Sequence, residues 1–151
     1  MRGRQRSKKT LVLKNDVNEI GHLNAFVKDL CQALHIDQDT ATGVGLAVEE
    51  AVVNVMNYAY PAGTEGEIRV KAFANANRLT FEISDDGIPF DPTAATEPDL
   101  TLPAEQRPIG GLGIYLMRRY MDTMKYKRVK DCNILSLTKQ IHYEDGDSNQ
   151  R

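Results

Sequence analysis

The sequence predicts an α+β fold, a two-layer sandwich of a mostly antiparallel mixed sheet with helices on one face. Three observations predict it. Strand-like and helix-like stretches follow the order strand, helix, helix, two strands, loop, helix, two strands. Strands that adjoin in sequence are joined by short turns, so they pair as hairpins and do not alternate with helices, which disfavours a doubly wound dinucleotide fold. The 151 residues, 41% apolar and 26% charged, suit one domain with a single core.

"TLVLKN" (10–15) alternates as a strand. "DVNEIGHLNAFVKDLCQALH" (16–35) sets Val17, Ile20, Leu23, Phe26, Val27, Leu30 and Leu34 at helical spacing. Asp16 serves as its N-cap, and Glu19 completes a capping-box pattern. A second helix runs from about Asp39 to Ala59 and ends before Pro61. "GEIRVKAFANANRLTFEISDDG" reads as a hairpin turning at "NANR". Residues 91–108 hold four of the six prolines and no apolar period, which makes a long loop of functional type. "GGLGIYLMRRYMD" (110–122) is helical, and "KYKRVKDCNILSLTKQIHY" closes the domain as two strands. The domain is expected over 10–141, between a basic tail (1–9) and a polar tail (142–151).

Composition narrows the function classes. A net charge of −2 offers no global attraction for nucleic acid. No apolar run approaches a membrane span and no signal segment opens the chain, so no membrane partner and a cytoplasmic location are expected. Cys31 and Cys132 read as small apolar residues, and the three histidines lack metal-ligand spacing. The basic cluster Arg118, Arg119, Lys125, Lys127, Arg128 and Lys130 is either a solvated face or a dock for an acidic partner or a phosphate.

Three segments could carry chemistry. On the second helix Val44, Val48, Ala51, Val55 and Ala59 form an apolar stripe, with Glu50, Asn54 and Asn57 opposite. A solvent face would explain the polar group, but two mid-helix asparagines weaken the helix relative to Lys or Gln. Leu46 and Val53 also flank them. "SDDG" (84–87) is either an Asp-Gly turn or a carboxylate held at a strand end for a ligand. "GGLG" (110–113) is either a flexible entry turn or a phosphate cradle at a helix start. It lacks the Lys-Ser/Thr of the P-loop.

Together these segments resemble the GHKL (Bergerat-fold) ATP-binding superfamily. The similarity is greatest to its small anti-sigma-factor serine/threonine kinases. "EEAVVNVMNYAYP" looks like the N-box, "DDGIPFDP" the first glycine box and "GGLGIYLM" the second. The resemblance implies a general base at Glu50 and a Mg²⁺ ligand at Asn54, with Asn57 beside them. It implies a carboxylate for the adenine amino group at Asp85 and close approach of the base at Gly87. Phosphate binding would fall to Gly110, Gly111, Leu112 and Gly113, with an ATP lid over about 91–108. Pro89 stands where the family has a second glycine, and Asn133 stands where it has a threonine near the adenine.

The implied cofactors are ATP and Mg²⁺. The implied partners are an anti-anti-sigma (STAS-type) protein as substrate and a sigma factor, with a homodimer as the assembly. Two other functions fit the same motifs: a nucleotide-binding partner-switching module with little kinase activity, and the catalytic domain of a histidine kinase. Glu50 favours an enzyme, since a pure binder needs no base. Glu50 and Asn54 are four residues apart and so project from one face, about 6 Å from each other.

Overall fold

The computed structural model describes residues 7–94 and 111–141. In chain order these form β1 (Ser7–Lys14), α1 (Ile20–Ala33), α2 (Gln38–Asn54), β2 (Glu67–Ala74), β3 (Arg78–Asp85), α3 (Gly111–Tyr120), β4 (Thr123–Val129) and β5 (Cys132–Gln140). The strands make one sheet in the order β1-β2-β3-β5-β4. Every neighbouring pair is antiparallel, so the parallel pairing that a mixed sheet would contain is absent among the described residues. Gly110, most of the expected lid, most of the expected basic tail and all of the expected polar tail lie outside those residues.

Alternation decides which face is covered. Leu13, Ile68, Val70, Ala72, Leu79, Phe81, Ile83, Leu135 and Leu137 are buried, and the register sets Val70 beside Ile83 and Phe81 beside Leu137. Against them lie Leu23, Val27 and Leu30 of α1, Val44, Val48 and Val52 of α2, and Ile114 and Met117 of α3. Each such side chain contributes roughly 1.5–3 kcal/mol on full burial. The opposite face carries Lys71, Glu82 and Ser136, and no helix covers it among the described residues. No described helix is long and apolar enough to cross a membrane.

Three elements differ from expectation. β1 begins at Ser7, so Lys8 and Lys9 belong to the sheet and not to a tail. An edge strand tolerates lysines, because one of its sides faces solvent; the Lys8 ammonium lies over the Phe73 ring at 5.7 Å. The first helix opens with a 3₁₀ turn, Val17–Glu19, before α1. Asp16 caps it by accepting from Asn18 N–H at 2.9 Å, but Glu19 reaches back to Lys14 N–H (3.3 Å). The Asp16 N–H is already bonded to the Lys14 carbonyl, which rules out the reciprocal half of a capping box. Finally, the helix expected to end at Ala59 is α-helical only to Asn54. It continues as a wider π turn, Val55–Ala59.

The α1–α2 corner is locally specified. His35 takes φ +57°, its N–H bonds to the Gln32 carbonyl, and Ile36 N–H bonds to that of Cys31. These are the two bonds of a Schellman cap. Asp37 then caps α2 by accepting from Thr40 N–H at 3.0 Å.

α2 and α3 meet closely at Gly43. A Cβ there would lie 2.5 Å from Cδ1 of Tyr120, whereas a Cβ at Gly45 would meet nothing within 4 Å. Gly45→Ala is therefore expected to raise the urea midpoint through its helix propensity, by about 1 kcal/mol. Gly43→Ala has the same propensity gain but loses roughly 1–3 kcal/mol to overpacking, so its midpoint falls. Equal midpoints for the two variants would refute the close approach.

Candidate functional site

The site forms where the end of α2 meets the end of β3. A helix leaves its last carbonyls without helical partners. Here Ile88 N–H donates to the Ala59 carbonyl at 2.7 Å. The contact leaves no room at residue 87, where a Cβ would lie 2.2 Å from that same oxygen. One residue further, the buried Tyr60 hydroxyl sits 2.8 Å from Asp86 Oδ1 and 2.9 Å from the Glu67 carbonyl. It also accepts from Asp86 N–H at 3.2 Å. A single hydroxyl hydrogen serves one of its two acceptors at a time. Burial, and then the Asp86 carboxylate, push the Tyr60 phenol far above its usual range.

Asp85, 4% exposed, ends β3 on the helix-covered face. Its Oδ1 accepts from Gly87 N–H (2.8 Å) and Asn133 Nδ2 (2.9 Å). Its Oδ2 is buried and has no partner. Burial raises its pKa above the ordinary carboxylate value, while the bonds from Asn133 and Gly87 and the Arg128 charge pull the other way. Asn133, expected at the adenine, is also 4% exposed and is occupied by protein partners. Its Nδ2 donates to Asp85 and to the Ile88 carbonyl (2.8 Å). Its Oδ1 accepts from Phe90 N–H (3.2 Å), Arg128 Nη1 (3.1 Å) and the Tyr126 hydroxyl.

On α2, Asn54 is 5% exposed and its Nδ2 has no partner. Glu50, one turn earlier, is half-buried; burial, and then the neighbouring Glu49, raise its pKa. The residues next to each, Ala51 and Val55, line a cavity of about 10 Å³ together with Asp85, Phe90 and Asn133. Phe90 packs on Tyr58 of the π turn, with ring centroids 5.5 Å apart. Among the described residues, the buried side-chain polar atoms without a hydrogen-bond partner are Asn54 Nδ2 and Asp85 Oδ2. Each such atom costs about 1–3 kcal/mol.

Of the remaining expected residues, Asn57 lies apart, whereas the glycines open a helix as expected. Asn57 is exposed and borders a separate groove of about 810 Å³ between residues 14–17 and 60–67. Gly111, Leu112 and Gly113 occupy the first turn of α3. The basic cluster is not one patch. Arg118 donates to the Thr93 carbonyl (3.0 Å) and Arg128 to that of Gly87 (2.8 Å), while Lys125 and Lys127 are exposed on β4. Cys31 is buried, and its thiol is pushed up to about 11, whereas Cys132 is half-buried. No group of three or more metal-ligating His, Cys, Asp or Glu occurs among the described residues. Tyr60 and Tyr126 have no assigned site role from sequence, and Arg128 is read there only as part of the basic cluster, not as a partner of Asn133. The available signal was Tyr60, an aromatic with a polar tip at the buried end of a helix.

Comparison with known proteins agrees with this geometry. A family described as histidine kinase-like ATPase domain matches residues 13–139. The serine/threonine-protein kinase BtrW of Bordetella bronchiseptica is 31% identical over 93 residues, 62% of this chain and 66% of its own length. The serine-protein kinase RsbW of Bacillus cereus is 30% identical over 110 residues, 70% of this chain and 68% of its own. That of Listeria monocytogenes is 29% identical over 70% and 69%. A crystal structure of the RsbU and RsbW domains of a Mycobacterium tuberculosis protein matches with a TM-score of 0.62. It covers 89% of this chain and 32% of its own, and its 13% identity makes this a likeness of fold.

Two variants test the geometry. A raised folded-state pKa means that ionising Glu50 costs the folded state. That cost is absent below the unfolded value of about 4.3 and complete above the folded one. Glu50→Gln should therefore be more stable than wild type at pH 7, with the difference vanishing as pH falls below about 4.3 in thermal melts. Gly87→Ala should lose roughly 3 kcal/mol or more, because its Cβ meets backbone and not a yielding side chain. A wild-type melting temperature for that variant would contradict the Ala59 contact.

Proposed function

The chain belongs to the histidine kinase-like ATPase domain family, and within it we propose that the protein is an ATP-dependent protein-serine/threonine kinase and anti-sigma regulatory factor. It phosphorylates an anti-anti-sigma protein of the STAS type and sequesters a sigma factor in the cytoplasm. The observation that supports this most is the coincidence of the unpartnered buried atoms, on Asn54 and Asp85, with the positions the motifs single out. Proteins rarely leave buried polar groups unsatisfied without a functional reason. The kinase names of BtrW and RsbW support the same reading.

Each residue has a physical task. Asp85, with Oδ2 unpartnered, offers a buried carboxyl oxygen to an amino group. Gly87 lets a flat base approach the chain. The Asn54 side chain offers an amide oxygen, a neutral hard ligand of the kind Mg²⁺ takes. Mg²⁺ held there would neutralise phosphate charge. Glu50, half-buried and with its proton affinity raised, takes the proton of the attacking serine or threonine hydroxyl. The first turn of α3 offers backbone N–H groups to phosphate oxygens.

Transfer of labelled γ-phosphate to a candidate STAS protein tests the proposal. Glu50→Gln should lower the rate by roughly 10²–10⁴ and leave ATP affinity within a few-fold. Asn54→Ala should remove the Mg²⁺-dependent part of ATP affinity in a titration. Tight ATP binding by the wild type with no transfer to any such protein would favour the partner-switching module.

A further inference from the structure

We propose that Asn133 is a positioning residue that sets base selectivity without touching the base, by holding Asp85 with one oxygen engaged and the other free. The inference rests on the nucleotide-site reading above and concerns how that site tells one purine from another.

The Asn133 carboxamide has no spare capacity. Both nitrogen hydrogens are used, at 2.9 Å on Asp85 Oδ1 and 2.8 Å on the Ile88 carbonyl. Its oxygen faces three donors, Phe90 N–H, Arg128 Nη1 and the Tyr126 hydroxyl. An amide oxygen has two lone pairs, so these acceptor sites are already over-subscribed. The orientation is also fixed. A flipped amide would turn its nitrogen toward Phe90 N–H and Arg128, and its oxygen toward two acceptors. Asn133 is thus a rigid strut between Arg128 on β4 and Asp85 on β3.

The consequence falls on Asp85. With Oδ1 held by Asn133 Nδ2 and Gly87 N–H, the carboxylate cannot rotate without losing two bonds. The buried Oδ2 of the carboxylate is then an acceptor held in one direction. A 6-aminopurine presents a donor to it, whereas a 6-oxopurine presents an acceptor and is rejected. A carboxyl released from the strut can turn or take up a proton, and it then accommodates either base.

Calorimetric titration of the full chain with ATP and with inosine triphosphate, for wild type and Asn133→Leu, tests this. The wild type should prefer ATP. Asn133→Leu should narrow that preference by roughly 10- to 100-fold, the scale of a hydrogen bond to a charged group. Should Asn133→Leu not fold, Arg128→Gln loosens the strut from a half-exposed strand position, and a smaller narrowing in the same direction is expected. A purely structural role would lower both affinities together. An unchanged ratio in a folded variant overturns the proposal and leaves the nucleotide reading standing. Failure of the wild type to bind either nucleotide overturns both.

Discussion

The Ala59 carbonyl accepts the Ile88 amide hydrogen at 2.7 Å, and this bond ties the end of the π turn that continues α2 to the loop that leaves β3. The positions of Asn54 and Asp85 follow from it, since one lies five residues before Ala59 and the other three before Ile88. The bond by itself contributes only about 1 kcal/mol net. Its importance is geometric. Residue 87 must have no side chain, because the space a Cβ would fill belongs to a backbone oxygen that cannot swing aside. Tyr60 and Asp86 brace the junction on its far side.

The rest of the fold offsets what this junction costs. Two buried carboxyl-bearing or amide side chains lack a partner for one atom, and Glu50 and Asp85 both resist ionisation. Folded domains have only about 5–15 kcal/mol in hand. The apolar row formed by Leu13 and Ile68 becomes polar as it crosses to Asp85, Asn133 and Arg128. Polar groups therefore concentrate at one corner of the covered face, and the apolar remainder of that face stays intact. Such a division is common where a site needs groups that stability alone would not select.

Periodicity revealed what repeats along the chain. The inward residues of β2 and β3 alternate over eight residues each, and α1 repeats Leu23, Val27 and Leu30 on one face. Glu50, Asn54 and Asp85 are singled out by the motifs they stand in, and Glu50 and Asn54 also by lying opposite the apolar stripe of α2. Features with no local signature were not readable. "VMNYA" has nothing that demands a π turn; the bonds at its end, Ala59 to Ile88 and Tyr60 to Asp86, come from residues far along the chain. The start of β1 was hidden because "SKK" looks like a tail until Phe73 is found beside it. Asn133 is expected at the adenine only through the resemblance, and its sequence position gives no count of its protein partners.

The two cysteines give the molecule a chemical clock. Thiolates, not thiols, react with alkylating agents. Cys31 sits between the helices with its thiol held up to about 11, so at neutral pH it stays inert while the helical layer is closed. Cys132 stands half-open at the start of β5. A single reagent thus counts two events: labelling of one sulfur reports the folded surface, and labelling of the other reports how often α1 lifts from its neighbours.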